Sequence, residues 1–462
     1  MRSQSSSGRT GAFKFASRTV AAACVVGTAL FFGHLNLQSK SKTQANKPHI
    51  VLSPDLPTQV KFGSGSSLGD LQQDFDIFSW DSFIAANWPP GPNGEGDPSK
   101  KPGKNGDNPT IWESWIDTRS VLLPDGEVPS WGSSPAVPGV CRADYKPGMK
   151  ILRQIGKTPN LLTAQIQPFE TGPLIDQEHQ YARFEIHVNR SMFDFIKAHQ
   201  LYSAAGQQKF SGDVSFPCST ANQLGAVMVK ASWKILSASD NPARFHTAEV
   251  LIYTPPSTDP PIEESCVSKK VGLVGLHIAH KVNQAPQWIW STFEQVDNAP
   301  DEAAVKSGKL ASHYNFYKPN CTDCLPVDTA PPRPWNPNLP GQKPSQVVRQ
   351  DVLPSFAVAS AQSNNRIAQH MLAKISKKSV WQYYELISTQ WPTKPGSVAT
   401  CTADPVARFG NPAPQFLANS SLETYVQGTV PNVSSSCISC HANAAMTTGK
   451  ASDFTYVLQS AK

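Results

Sequence analysis

Charge is scarce in this 462-residue sequence: Asp, Glu, Lys and Arg make up 16% of it, where about a quarter is usual. The formal net charge is +6, yet residues 1–48 hold seven basic side chains and no acidic one. Taking seven from 41 leaves 34 basic residues against 35 acidic ones for everything after Pro48. A near-neutral body lacks the basic stripe that nucleic-acid binding requires, so no nucleic-acid partner is expected. Long apolar runs are also missing. The longest, Thr19–Gly33, has 15 residues and falls short of the roughly 20 that span a bilayer. No G-x-S-x-G, phosphate-binding loop, H-E-x-x-H or dinucleotide fingerprint occurs, and no internal repeat, which removes the commonest hydrolase, nucleotide and solenoid readings.

What is present begins with a leader. Arg2, Arg9, Lys14 and Arg18 precede the apolar stretch, as in an export signal. Cleaved or kept as a membrane tether through residues 19–33, it sends residues 49–462 to the periplasmic side. Cysteine usage agrees. Beyond Cys24 and a C-terminal pair stand Cys141, Cys218, Cys266, Cys321, Cys324 and Cys401, an even set that suits disulfides in an oxidising compartment without fixing their connectivity.

Twenty-one phenylalanines and 11 tryptophans require a sizeable core. The stretch "DIFSWDSFIAANWPP" predicts a helix with Ile77, Trp80 and Ile84 on one face, stopped by Pro89. "YARFEIHVN" alternates as a strand, and "GAVMVKASWKIL", "HTAEVLIYTPP", "KVGLVGLHIAHKV" and "QWIWSTFEQV" follow suit. "SMFDFIKAHQLYSAAG" reads as helix, capped by Asn189 or Ser191. The pattern predicts an α+β fold, a mixed antiparallel-sheet body with helices, ending in a short helical segment. The expected organisation is leader and tether (1–48), body (49–320), proline-rich linker (321–345), and a helical segment with the C-terminal site (346–462), in which "KSVWQYYELISTQWP" reads as an amphipathic helix.

The chemistry concentrates in "SSSCISCHANAAMTTGK", where Cys437, Cys440 and His441 form C-x-x-C-H. Two thiols at this spacing add across haem vinyl groups, and the adjacent histidine reaches an axial position on the iron. Chance gives roughly 0.004 such patterns at this composition, so a covalent haem c, one per chain, is the expected cofactor. A zinc site from Cys321, Cys324, Cys437 and Cys440 is the competing reading. Only 21 residues follow His441, with Met446 the single methionine among them. Five residues hardly carry a chain around a porphyrin edge, so a sixth ligand should come from the body. His277, in an apolar run, is the first candidate, followed by His280; on a strand these two point to opposite faces. Met371, His370 and an open position come next, while Met149, Met192 and Met228 are the remaining exported methionines upstream. Trp288 and Trp290 read as core residues that could relay an electron. Glu185, Glu249 and Glu294 lie on strands and read as surface-paired acids.

With "LHIAHKVNQAPQWIWSTFEQVDNAP", "QYYELISTQWPT" and "LANSSLETYVQG" added to the haem motif, residues 70–462 resemble large bacterial exported proteins grouped as cytochrome c family proteins. The resemblance implies haem attachment at Cys437, Cys440 and His441, and export, without naming a reaction. The expected function is single-electron transfer with an unidentified redox partner protein. A haem-dependent oxidase or peroxidase with an open distal site and a haem-based sensor are the alternatives, so whether the protein is an enzyme stays open.

Overall fold

The computed structural model describes residues 48–103, 109–153, 171–259, 261–336, 342–393, 401, 411–430 and 434–462. The leader and the tether over 19–33 lie outside the described residues. The strands are β1 (Ile116–Asp117), β2 (Lys150–Leu152), β3 (Arg183–Val188), β4 (Val227–Ile235), β5 (Thr247–Thr254), β6 (Ser257–Thr258), β7 (Pro261–Ile262), β8 (Ser265–Val282), β9 (Ala285–Gln295), β10 (Tyr384–Pro392) and β11 (Pro412–Ala413). The helices are α1 (Leu68–Ala86), α2 (Thr118–Val121), α3 (Arg190–Ala198), α4 (Ala204–Lys209), α5 (Glu302–Ser307), α6 (Ser355–Ile375) and α7 (Cys437–His441).

Nine strands form one sheet in the order β1-β3-β4-β8-β9-β10-β11, with β5 joining β8 and β2 joining β5. Neighbours pair antiparallel except β2 with β5, so the α+β class expected from the alternating patterns is what the chain adopts. The long β8 is the spine: residues 271–280 pair with β4, 265–272 with β5, and 275–282 with β9.

Side-chain alternation divides the sheet into two faces. On one, Val229, Leu276, Ile278, Phe293 and Leu386 pack beneath α1 and α6 with Ile77, Trp80 and Ile84. Three aspartates of α1 are buried in this layer, and each has a backbone or side-chain donor, as burial demands: Asp74 takes Gly63 N at 2.9 Å, Asp81 takes Val51 N at 2.8 Å, and Asp76 takes Gln72 and Ser360. On the other face Met192, Phe193, Phe216, Met228, Trp288 and Trp290 meet Ile438, Met446 and Leu458 from the C-terminal stretch. Asn189 caps α3 by accepting from Met192 N. Pro354 stands at the N-cap of α6, where a proline is tolerated because the helix has not begun.

One expectation needs correction. Tyr384–Pro392 is strand β10, paired with β9, and not part of a helix. Its β-branched and aromatic residues are buried along both faces, and tertiary pairing overrides the helical reading of the same pattern. Ala45–Lys462 is accordingly one compact unit, to which residues 346–462 contribute a strand of the common sheet. The three disulfides are Cys141–Cys266, Cys218–Cys401 and Cys321–Cys324. Among the described residues no helix is long and apolar enough to cross a membrane.

Candidate functional site

The one-turn helix α7 carries Cys437, Cys440 and His441, which its pitch sets along one side. The side chain of Gln390, on β10, fixes its start. Gln390 Oε1 accepts from Ile438 N at 2.7 Å, while Nε2 donates to Pro414 O at 2.7 Å. Ile438 then buries against the face that holds Met228 and Trp290. With all six other described cysteines bridged, Cys437 and Cys440 stand outside the disulfides. A zinc site drawing on Cys321 and Cys324 is thereby ruled out, because those two sulfurs are bonded to each other. Burial, then the charge of Glu423, pushes the Cys437 thiol well above its ordinary range.

After α7 the chain doubles back through Asp453 and Phe454, both with left-handed backbone at φ 53° and 61°. Two non-glycine residues in that region cost roughly 1–3 kcal/mol each. The buried Asp453 carboxylate holds the turn: it accepts from Phe216 N at 2.7 Å and Lys281 Nζ at 2.5 Å. The turn delivers the Phe454 carbonyl to His441 Nδ1 at 2.8 Å. A carbonyl only accepts, so Nδ1 carries the proton. Burial lowers the His441 pKa to about 4, which keeps the ring neutral and leaves its lone pair on Nε2. Tyr456 adds a hydrogen bond to the Cys440 carbonyl at 2.9 Å.

His441 borders a cavity of about 350 Å³, at the lower end of the range for small-molecule and cofactor sites. Its walls include Met228 and Lys230 of β4, His277 and Ala279 of β8, Trp290 of β9 and Arg119 of α2. His277 therefore shares a cavity with His441, but its ring nitrogens are engaged. Nε2 lies 2.9 Å from both oxygens of Glu423, and Nδ1 lies 3.2 Å from Thr292 Oγ1. Burial alone would raise the Glu423 carboxyl; the imidazole beside it brings the net shift below the ordinary value. Glu423 sits on a turn pressed against β8 and β9, where Asn419 Nδ2 donates to Phe293 O at 2.9 Å. The turn fits because residue 275 is glycine: a Cβ there would meet Ser421 Oγ at 2.2 Å.

The other expected ligands lie elsewhere. His280 is on the opposite face against Phe78, with Nε2 2.8 Å from Ser219 Oγ, and burial drops its pKa to about 3. His370 is exposed on α6, and Met371 packs in the layer beneath α1. Met446 is buried in the cluster with Met192 and Trp288 and does not line the cavity. Met228, one of the few upstream methionines open to that role in the sequence, does line it. The register that sets Met228 opposite Ala279 and Lys230 opposite His277 was the signal for it.

A second cluster lies on the face of β3 turned away from the cavity. Glu185 is not surface-paired as expected: it is 2% exposed and binds Lys150 Nζ at 2.6 Å, His187 Nε2 at 3.0 Å and Trp233 Nε1 at 2.9 Å. His187 Nδ1 faces the Trp115 carbonyl at 2.9 Å, so both ring nitrogens donate and the ring is cationic. Asp117, Glu185 and His187 approach as metal ligands do. However, Lys150, Arg119 and the His187 imidazolium already balance Glu113, Glu185 and Asp117, which makes the cluster a closed ion-pair network. Glu294 is likewise buried, bonded to Arg349 and to Ser420 N. Glu249 alone of the three is exposed, 3.6 Å from Lys270.

Comparison of the chain with protein-family models, with curated proteins and with solved structures found no match.

Proposed function

We propose that this chain is an exported mono-haem c-type cytochrome that passes single electrons to and from a redox partner protein. One observation carries the reading: His441, beside a cavity, has Nδ1 committed to Phe454 O and is kept neutral by burial, the arrangement that presents Nε2 to a metal. Cys437 and Cys440 would hold the haem through thioethers, each S–H adding across one vinyl group. His441 Nε2 would bind the iron. Bound haem supplies a one-electron iron(III)/iron(II) couple. Lys230 brings a cationic group to the cavity wall, where haem carboxylates need partners. Three disulfides in the folded body support a periplasmic setting, whether free or tethered.

For the sixth position Met228 and His277 are the candidates on the cavity wall, and His277 would first have to leave Glu423. That engagement favours a second reading, a haem-dependent oxidoreductase of a small substrate. With no ligand supplied from the wall, the His277–Glu423 pair can hold or release a proton at Nε2 facing the cavity.

The test is production in the periplasm with haem c maturation machinery, followed by a pyridine haemochrome and a haem-stained denaturing gel. A c-type spectrum that Cys437→Ala and Cys440→Ala abolish is the expected result; mature protein without covalent haem overturns the proposal. A six-coordinate low-spin spectrum indifferent to carbon monoxide supports electron transfer, and carbon monoxide binding to a high-spin ferrous form supports the second reading.

A further inference from the structure

The haem reading leaves open how an electron crosses the body, and the aromatic residues of β9 bear on it. Trp290 lies against His441, ring centres 4.3 Å apart. From Trp290 the contacts continue to Trp288 at 6.5 Å, Phe216 at 6.2 Å, Phe195 at 5.1 Å and His199 at 4.4 Å from the preceding ring. Each step lies within or close to ordinary aromatic contact. Trp288 and Phe216 are fully buried, Phe195 partly, and His199 is exposed. Phe195 and His199 form part of the wall of a large surface cleft of about 1120 Å³.

Filling a core does not require this geometry. Trp288 has φ 68°, a left-handed backbone that a bulky residue adopts only where the surroundings enforce it, at roughly 1–3 kcal/mol. The distortion coincides with a slip in the β8–β9 register between His280 and Val282, and bulges of this kind re-aim side chains. The re-aimed indole donates to Asp453 Oδ1 at 3.4 Å. It lies between Trp290 and Phe216, in ring contact with both.

We propose that Trp290, Trp288, Phe216 and Phe195 form the path by which one electron passes between the haem side of His441 and the surface at His199. The inference rests on the haem reading above. A one-electron redox protein contacting the His199 end is oxidised by one electron as ferric iron becomes ferrous, or the reverse; no bond is made or broken and the aromatic residues stay neutral. Tunnelling decays exponentially with gap, so contiguous packed rings outcompete routes across water.

The experiment attaches a bis(bipyridine)ruthenium complex to His199 of the haem-loaded full chain, purifies the singly labelled product and follows the haem absorbance after a laser flash. Trp288→Leu and Phe216→Leu should each slow intramolecular transfer by an order of magnitude or more, with the pyridine haemochrome unchanged and, for Phe216→Leu, the midpoint potential unchanged as well. Trp290→Phe, which keeps a ring against His441, should recover most of the rate that Trp290→Leu loses. Equal rates in all variants, with haem c in place, overturn the path and leave the haem reading standing. A wild-type chain without haem c overturns the haem reading itself. Trp288 is fully buried, so Phe216→Leu, which deletes a ring and keeps the apolar volume, decides the matter if Trp288→Leu does not fold.

Discussion

His277 Nε2 lies 2.9 Å from each carboxylate oxygen of Glu423, on the wall of the cavity that also holds His441. A carboxylate placed there acts on whatever the cavity contains, and on the haem proposed for it. An anion near a haem stabilises its ferric state, so Glu423→Gln should raise the midpoint potential by some tens of millivolts, equivalent to about 1 kcal/mol. Spectroelectrochemical titration reads this directly; a lowered potential would contradict it.

Lys281 and Asp453 form a buried pair, side chains 1% and 0% exposed, that ties the segment after α7 to the sheet. Removing one partner leaves the other charged and unpaired. Asp453→Asn should cost about 3–5 kcal/mol in urea unfolding, and Lys281→Met combined with Asp453→Leu should recover most of it. Amide exchange should show the Asn variant loosened first around residues 437–462.

Two buried histidines should contribute to stability in opposite directions of pH. His187 has its pKa raised by Glu185 against the effect of burial, so its contribution is present below about 6.5 and lost as pH rises through the folded value. His280 has its pKa lowered by burial to about 3. The unfolded chain therefore takes up the proton first, and the His280 contribution drops as pH falls from about 6.5 toward 3, by about 5 kcal/mol at the limit. Thermal unfolding across pH should show His280→Asn flattening the acid limb and His187→Gln the alkaline one. Unchanged limbs would refute the assignment.

Cys141 and Cys266 close a loop across 125 residues. Replacing both by serine should cost about 2–5 kcal/mol, measured by denaturant midpoint. A loss below 1 kcal/mol would mean the unfolded chain is not constrained by this bridge.

The strands of the body were legible because their alternation matches the sheet: Phe184, Ile186 and Val188 turn one way and Glu185 and His187 the other. That His277 and His280 separate onto opposite faces followed from the same period. Tyr384–Pro392 misled because a strand buried on both faces has no distinctive period. Nor does local sequence announce pairing across distance. Glu185 was read as a surface acid since Lys150, which neutralises it, lies 35 residues away. The turn through Asp453 and Phe454 was equally hidden, because its stabilising contacts come from Phe216 and Lys281.

Gly275 closes the matter in another way. Its missing side chain seats the turn that carries Glu423, since any Cβ would collide with Ser421. Even alanine there has to push the Ser421 hydroxyl from its place beside Asn419, on the turn whose Glu423 holds His277, so a substitution at 275 reaches the cavity wall without replacing a residue in it. A screen for lesions that change the site's redox behaviour should therefore recover hits in the plain middle of a strand.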